Sequence, residues 1–86
     1  MEHIEKRLDK ILKNRFGLEM NSIKEALRDK KLLGQEFGML PRDLLYLFFD
    51  IETEFLIRIP QEAVACGEFN TYNNICKIIY NELRNE

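Results

Sequence analysis

Leu40-Pro41-Arg42-Asp43-Leu44-Leu45-Tyr46-Leu47-Phe48-Phe49-Asp50-Ile51-Glu52-Thr53-Glu54-Phe55 is the stretch on which the fold turns. Proline suits the first turn of a helix, where its missing N–H breaks no bond, and Asp43 sets negative charge near the positive end of the helix dipole. A helix is therefore predicted to start at Leu40 or Pro41 and to run to Phe55. At about 100° per residue, Leu44, Leu47, Phe48, Ile51 and Phe55 form one inward stripe. Arg42, Leu45, Tyr46 and Phe49 are left on the opposite or flanking side, so this one helix has two apolar faces.

Downstream, Ile57-Arg58-Ile59-Pro60 must be extended, because the residue before a proline disfavours helix. The chain restarts at Pro60, and Gln61 to Cys66 form a short third helix stopped by Gly67. Thr71 is placed to cap a last helix, in which Tyr72, Ile75, Cys76, Ile78, Ile79 and Leu83 recur at helical spacing. Upstream, Ile4, Leu8, Ile11 and Leu12 mark a first helix that ends between Asn14 and Phe16, ahead of Gly17. Between these helices, Ser22 and Glu25 have capping-box spacing ahead of Ala26, Leu27, Leu32 and Leu33, which predicts a short extra helix before Gly34. The result is an all-α domain of four helices over residues 1–86, with a long connection between the first and second. There is no internal repeat, low-complexity tract, interdomain linker or convincing strand pair.

Composition agrees with one soluble domain. Eighty-six residues are too few for two separate cores, and 45% apolar with 33% charged residues is the balance of a globular chain. The longest uncharged apolar run, Leu44 to Phe49, is far short of the roughly 20 residues that span a bilayer. The start, Met-Glu-His-Ile-Glu-Lys, lacks the basic-then-apolar order of an export signal, so a cytoplasmic protein is expected. Cys66 and Cys76 are too few and too far apart for a disulfide framework or a CxxC site, and are expected to fill core space as reduced thiols. The formal net charge of −2 argues against a general nucleic-acid binder. The charge is uneven: residues 1–31 hold nine Lys/Arg and six Asp/Glu, whereas residues 32–86 hold four and nine.

The run Leu33-Gly34-Gln35-Glu36-Phe37-Gly38-Met39-Leu40-Pro41-Arg42-Asp43-Leu44, followed by Phe49 to Pro60, resembles the acyl and peptidyl carrier proteins. Those proteins show a leucine-glycine-x-aspartate-serine-leucine turn, a helix ending in glutamates and phenylalanine, and an x-isoleucine-x-isoleucine-proline segment. Here Phe37-Gly38, Glu52-Thr53-Glu54-Phe55 and Ile57-Arg58-Ile59-Pro60 fall in the same register without a gap. The likeness covers residues 33 to 60. Residues 1 to 16 and 71 to 83 match only as helices in suitable places. The run Arg42 to Asp50 is also similar to acyl carrier-related proteins of bacteriocin-like peptide maturation systems, which implies a role in modifying or exporting a ribosomal peptide.

In the family, a serine at the start of the second helix bears the phosphopantetheine arm. In this register Pro41 occupies that place and Leu40 replaces the preceding aspartate. No Ser, Thr or Cys lies between Ile23 and Asp50 to supply another nucleophile nearby. No cofactor is expected. The resemblance implies instead that the outward side of the second helix is where a partner enzyme docks, through Arg42, Asp43, Leu45, Tyr46, Phe49 and Glu52, with Asp50 and Glu54 adding to an acidic ring. Phe49 has a second option, packing with Leu45 beneath the long connection. Catalysis by the chain is not expected, because it lacks a usable histidine, metal-ligand spacing and a glycine-rich phosphate loop. Two further readings stay open: an unconventional carrier with cargo on Cys66 or Cys76, and a weak homodimer through Leu45, Tyr46 and Phe49.

Overall fold

The computed structural model describes residues 2–20, 25–34 and 37–84. Among these, four α-helices follow in order: α1 (Glu2–Phe16), α2 (Pro41–Phe55), α3 (Gln61–Ala65) and α4 (Tyr72–Arg84). The described residues contain no strand, only an isolated bridge between Lys31 and Thr71. No helix among the described residues is long and apolar enough to cross a membrane.

The three long helices meet because each carries an apolar stripe. Leu8 and Leu12 of α1, Leu47 and Ile51 of α2, and Ile75 and Ile79 of α4 are almost wholly excluded from water. Complete burial of each such side chain contributes roughly 1.5–3 kcal/mol, so this shared core dominates the stability of the fold. The predicted inward stripe of α2 divides into two levels: Leu47, Ile51 and Phe55 are buried, while Leu44 and Phe48 are partly covered at its margin.

The helix ends follow local chemistry. Gly17, at φ 70°, closes α1, with its N–H bonded to Lys13 O at 3.0 Å and that of Leu18 bonded to Leu12 O at 3.2 Å. A glycine takes this left-handed conformation without the Cβ clash other residues meet. At the other end of the chain, Thr71 Oγ1 accepts the Asn74 N–H at 3.1 Å and caps α4 as expected. The end of α2 gives no such signal in the sequence. Leu56 sits there at φ 55° and ψ 46°, a left-handed leucine with 81% of its surface exposed.

The connection between α1 and α2 differs in part from expectation. Its short helix is a 3-10 helix, Glu25–Asp29, and the chain then turns away so that Leu32 is buried and Lys31 faces Thr71. A nucleus this short makes too few i→i+4 bonds to offset its entropy, which favours the tighter 3-10 form. Ser22, the proposed cap, lies outside the described residues. Arg28 anchors the 3-10 helix, with Nη1 3.6 Å from Glu5 and its guanidinium 5.2 Å from the Tyr72 ring centre. Tyr72 in turn donates its hydroxyl to Asp9 at 2.5 Å, so α1, the 3-10 helix and α4 are joined on the side away from α2.

The expectation that both thiols fill the core needs correction. Cys76 is buried, and burial, with Glu5 adding to the effect, pushes its thiol up to about 12. Cys66 is exposed, because α3 closes at Ala65 and turns its last residues outward.

Candidate docking surface

Pro41 is the first residue of α2 and is exposed, with a backbone already suited to helix initiation. The residue before it, Leu40, has no side-chain oxygen with which to cap the helix. Asp43 compensates from the third position: its Oδ2 accepts the Leu40 N–H at 2.9 Å. This is one half of a capping box, and it fixes the angle at which the chain enters α2.

From this start, Arg42, Leu45, Tyr46 and Phe49 all point outward and are exposed. Leu45 keeps 52% of its surface in water, Tyr46 49% and Phe49 54%, so none of them is buried. Phe49 rests edge-on against Phe48, with ring centres 5.7 Å apart, and Phe48 meets Phe69 in turn at 5.8 Å. Beside this stripe lies an open cleft of about 630 Å³ between α2 and α3, with Leu33, Pro41, Leu45, Phe48, Val64 and Phe69 on its walls. Leu33, Leu40 and Val64 are themselves about half exposed, which extends the apolar surface across both helices. Apolar residues scattered singly over a surface need no explanation, but a contiguous cluster is the usual mark of an interface.

The carboxylates expected to ring this surface are bonded within the chain. Arg15 of α1 holds Asp50 through Nε and, at 3.0 Å, through Nη2. Arg7, two turns earlier in α1, places its Nε 2.9 Å from Glu54 Oε2 and also donates to the Glu54 carbonyl. The higher-numbered arginine meets the lower-numbered acid, as antiparallel helices require. Glu52 turns toward the following segment, where its Oε2 accepts the Ile59 N–H at 2.9 Å. Ordinary surface ion pairs contribute only about 0–1 kcal/mol each, so these pairs matter more for the charge they cancel on this face than for stability.

Sequence reasoning did not single out Leu33, Leu40 or Val64 as surface-forming, nor Arg7 and Arg15 as the neutralising pair. A signal for the arginines was present: positions 7 and 15 are eight apart on α1, and Asp50 and Glu54 are one turn apart on α2. The basic residues Lys6, Lys10, Lys13, Lys30 and Lys31 are exposed and scattered among acids. Comparison with protein-family models, with curated proteins and with solved structures finds no match to this chain.

Proposed function

We propose that this chain is an acyl carrier-related protein with an acyl-carrier-like helical bundle, working as a non-catalytic docking or scaffold protein in the cytoplasm. It presents the outward face of α2 to a protein partner, an enzyme of a biosynthetic or peptide-modifying set such as a ribosomal peptide maturation system. The observation that carries the reading is the uncovered stripe Leu45, Tyr46 and Phe49. It begins one turn after Pro41, which in the carrier resemblance replaces the serine that bears the arm. Proline has no nucleophile, so in this reading the docking face is kept and the carried group is lost.

The test is intact-mass measurement after incubation with a broad-specificity phosphopantetheinyl transferase and coenzyme A. Wild type is expected to keep its mass, and the double variant Leu40→Asp, Pro41→Ser is expected to gain one arm. The aspartate restores a good helix cap as well as the family's residue before the serine. A modified wild type would sink the proposal and make the protein a carrier. An unmodified double variant with an intact fold would remove the carrier resemblance. A second reading, cargo on Cys66, is favoured by the exposure of that thiol next to Ala65 and Gly67 of the cleft wall. A mass gain mapped to Cys66 after exposure to cell extract would place it first.

A further inference from the structure

The charge on α2 is distributed differently from the acidic ring its sequence suggests. Each of its four carboxylates has a partner inside the chain: Asp50 and Glu54 lie on the Arg15 and Arg7 guanidinium groups, and Asp43 and Glu52 accept backbone N–H groups. The helix's own cation, Arg42, is exposed and has no carboxylate partner among the described residues. The same holds for Arg58, just beyond the C-terminal end, where Ile57 and Ile59 are buried on either side of it. The apolar stripe Leu45, Tyr46 and Phe49 thus has unpaired positive charge at its beginning, on Arg42, and past the end of the helix, on Arg58. The two ion pairs present little field beyond a Debye length of about 8–10 Å. Asp43 and Glu52 keep their charge but commit an oxygen to a backbone N–H, so Arg42 and Arg58 are the charged groups left free to bond a partner's carboxylates.

The size of the surface bears on what occupies it. The half-exposed side chains of Leu33, Leu40, Leu45, Tyr46, Phe49 and Val64 together offer an apolar area on the order of 500 Å². A standard stable interface takes about 800 Å² from each partner, so this patch suits one helix laid along it better than a lasting dimer. Resting on the docking reading above, we infer that the partner element is an amphipathic helix with acidic flanks. Its apolar side chains cover Leu45, Tyr46 and Phe49, and its carboxylates meet Arg42 and Arg58. Glu62 and Glu68, exposed on the α3 side and without ion-pair partners among the described residues, direct those carboxylates to the α2 side of the cleft.

The probe is a pair of synthetic helical peptides that share one leucine and phenylalanine face, one flanked by glutamate and the other by lysine. Each is titrated into the full chain at low salt and followed by backbone amide NMR shifts. The glutamate-flanked peptide is expected to bind about five-fold or more tightly than its lysine counterpart, with shifts centred on Leu45, Tyr46 and Phe49. Arg42→Glu should narrow or reverse the preference, and ~0.5 M salt should erase it. Equal binding, or tighter binding of the lysine-flanked peptide, with shifts on the same stripe would overturn the acidic assignment and leave docking at α2 intact. If neither peptide moves the stripe, docking at α2 falls as well. If only concentrating the protein moves it, the occupant is a second copy of the chain.

Discussion

Leu45 and Leu47 are two residues apart on α2 and identical in chemistry, yet one lies half in water and the other has none of its surface exposed. Replacing each with alanine tests whether the helix has one buried face or two. For Leu47→Ala, the lost transfer free energy adds to the cost of the cavity left in the shared core, and comparable buried leucines cost about 3–5 kcal/mol. For Leu45→Ala, about half of the transfer term applies and no closed cavity forms, which gives about 1 kcal/mol or less. Alanine's better helix propensity returns a few tenths of that. In a domain of this size each kcal/mol moves the melting temperature by about 4–8 °C. Leu47→Ala should therefore lower Tm by more than about 12 °C, or leave the chain unfolded, while Leu45→Ala lowers it by less than about 8 °C. Thermal unfolding followed by circular dichroism measures both. Similar losses for the two variants would refute the reasoning, because they would show Leu45 covered in solution. A rise of Tm with protein concentration in the wild type would then identify the cover as a second copy.

Three other outcomes follow from single features. Leu56→Gly should raise stability by about 0.5–1 kcal/mol, since a left-handed leucine costs roughly 1–2 kcal/mol and the glycine gives part of that back as unfolded-chain entropy; an unchanged or lower urea midpoint would contradict the cap geometry. Glu52→Gln should cost about 1 kcal/mol and speed hydrogen exchange at the Ile59 amide, because a charge-assisted bond to that N–H becomes a neutral one. Both Cys76 and Tyr72 have their ionisation raised in the fold, chiefly by burial, so each stays neutral when folded and ionises when the chain unfolds. For such acids the stabilisation is complete below the unfolded value and is lost as pH climbs above it, so Tm should begin to fall near pH 9, the ordinary value for the thiol. Cys76→Ala should flatten the first part of that decline, and a thiol reagent at pH 8 should label Cys66 quickly and Cys76 only at the rate of unfolding.

Sequence periodicity located the helices because burial and helical spacing are the same signal in a small domain. The two sides of α2 were legible for that reason: Leu47, Ile51 and Phe55 are inside and Leu45, Tyr46 and Phe49 are outside. Turn chemistry read equally well where a residue type carries it, as with Gly17 after α1 and Thr71 before α4. It failed at Leu56, where no glycine marks the left-handed cap, and in the connection, where helical spacing does not separate a five-residue 3-10 helix from an α-turn. Cys66 was misread because a free cysteine's habit of burial says nothing about which way a short helix turns at its end.

The outward face of α2 shows a deeper limit of such reading. A count of acids along α2 gives Asp43, Asp50, Glu52 and Glu54 against one arginine, and so an acidic face. What a partner meets, however, depends on which charges remain unpaired after folding, and that is decided by residues far away in the sequence. Arg7 and Arg15 reach α2 only because α1 runs antiparallel to it, and Glu52 is withdrawn only because the chain doubles back after Leu56 to present the Ile59 N–H. Folding therefore alters the electrostatic character of this face without changing its composition. The apolar stripe is a local property of α2, and the charge that surrounds it is a property of the tertiary structure.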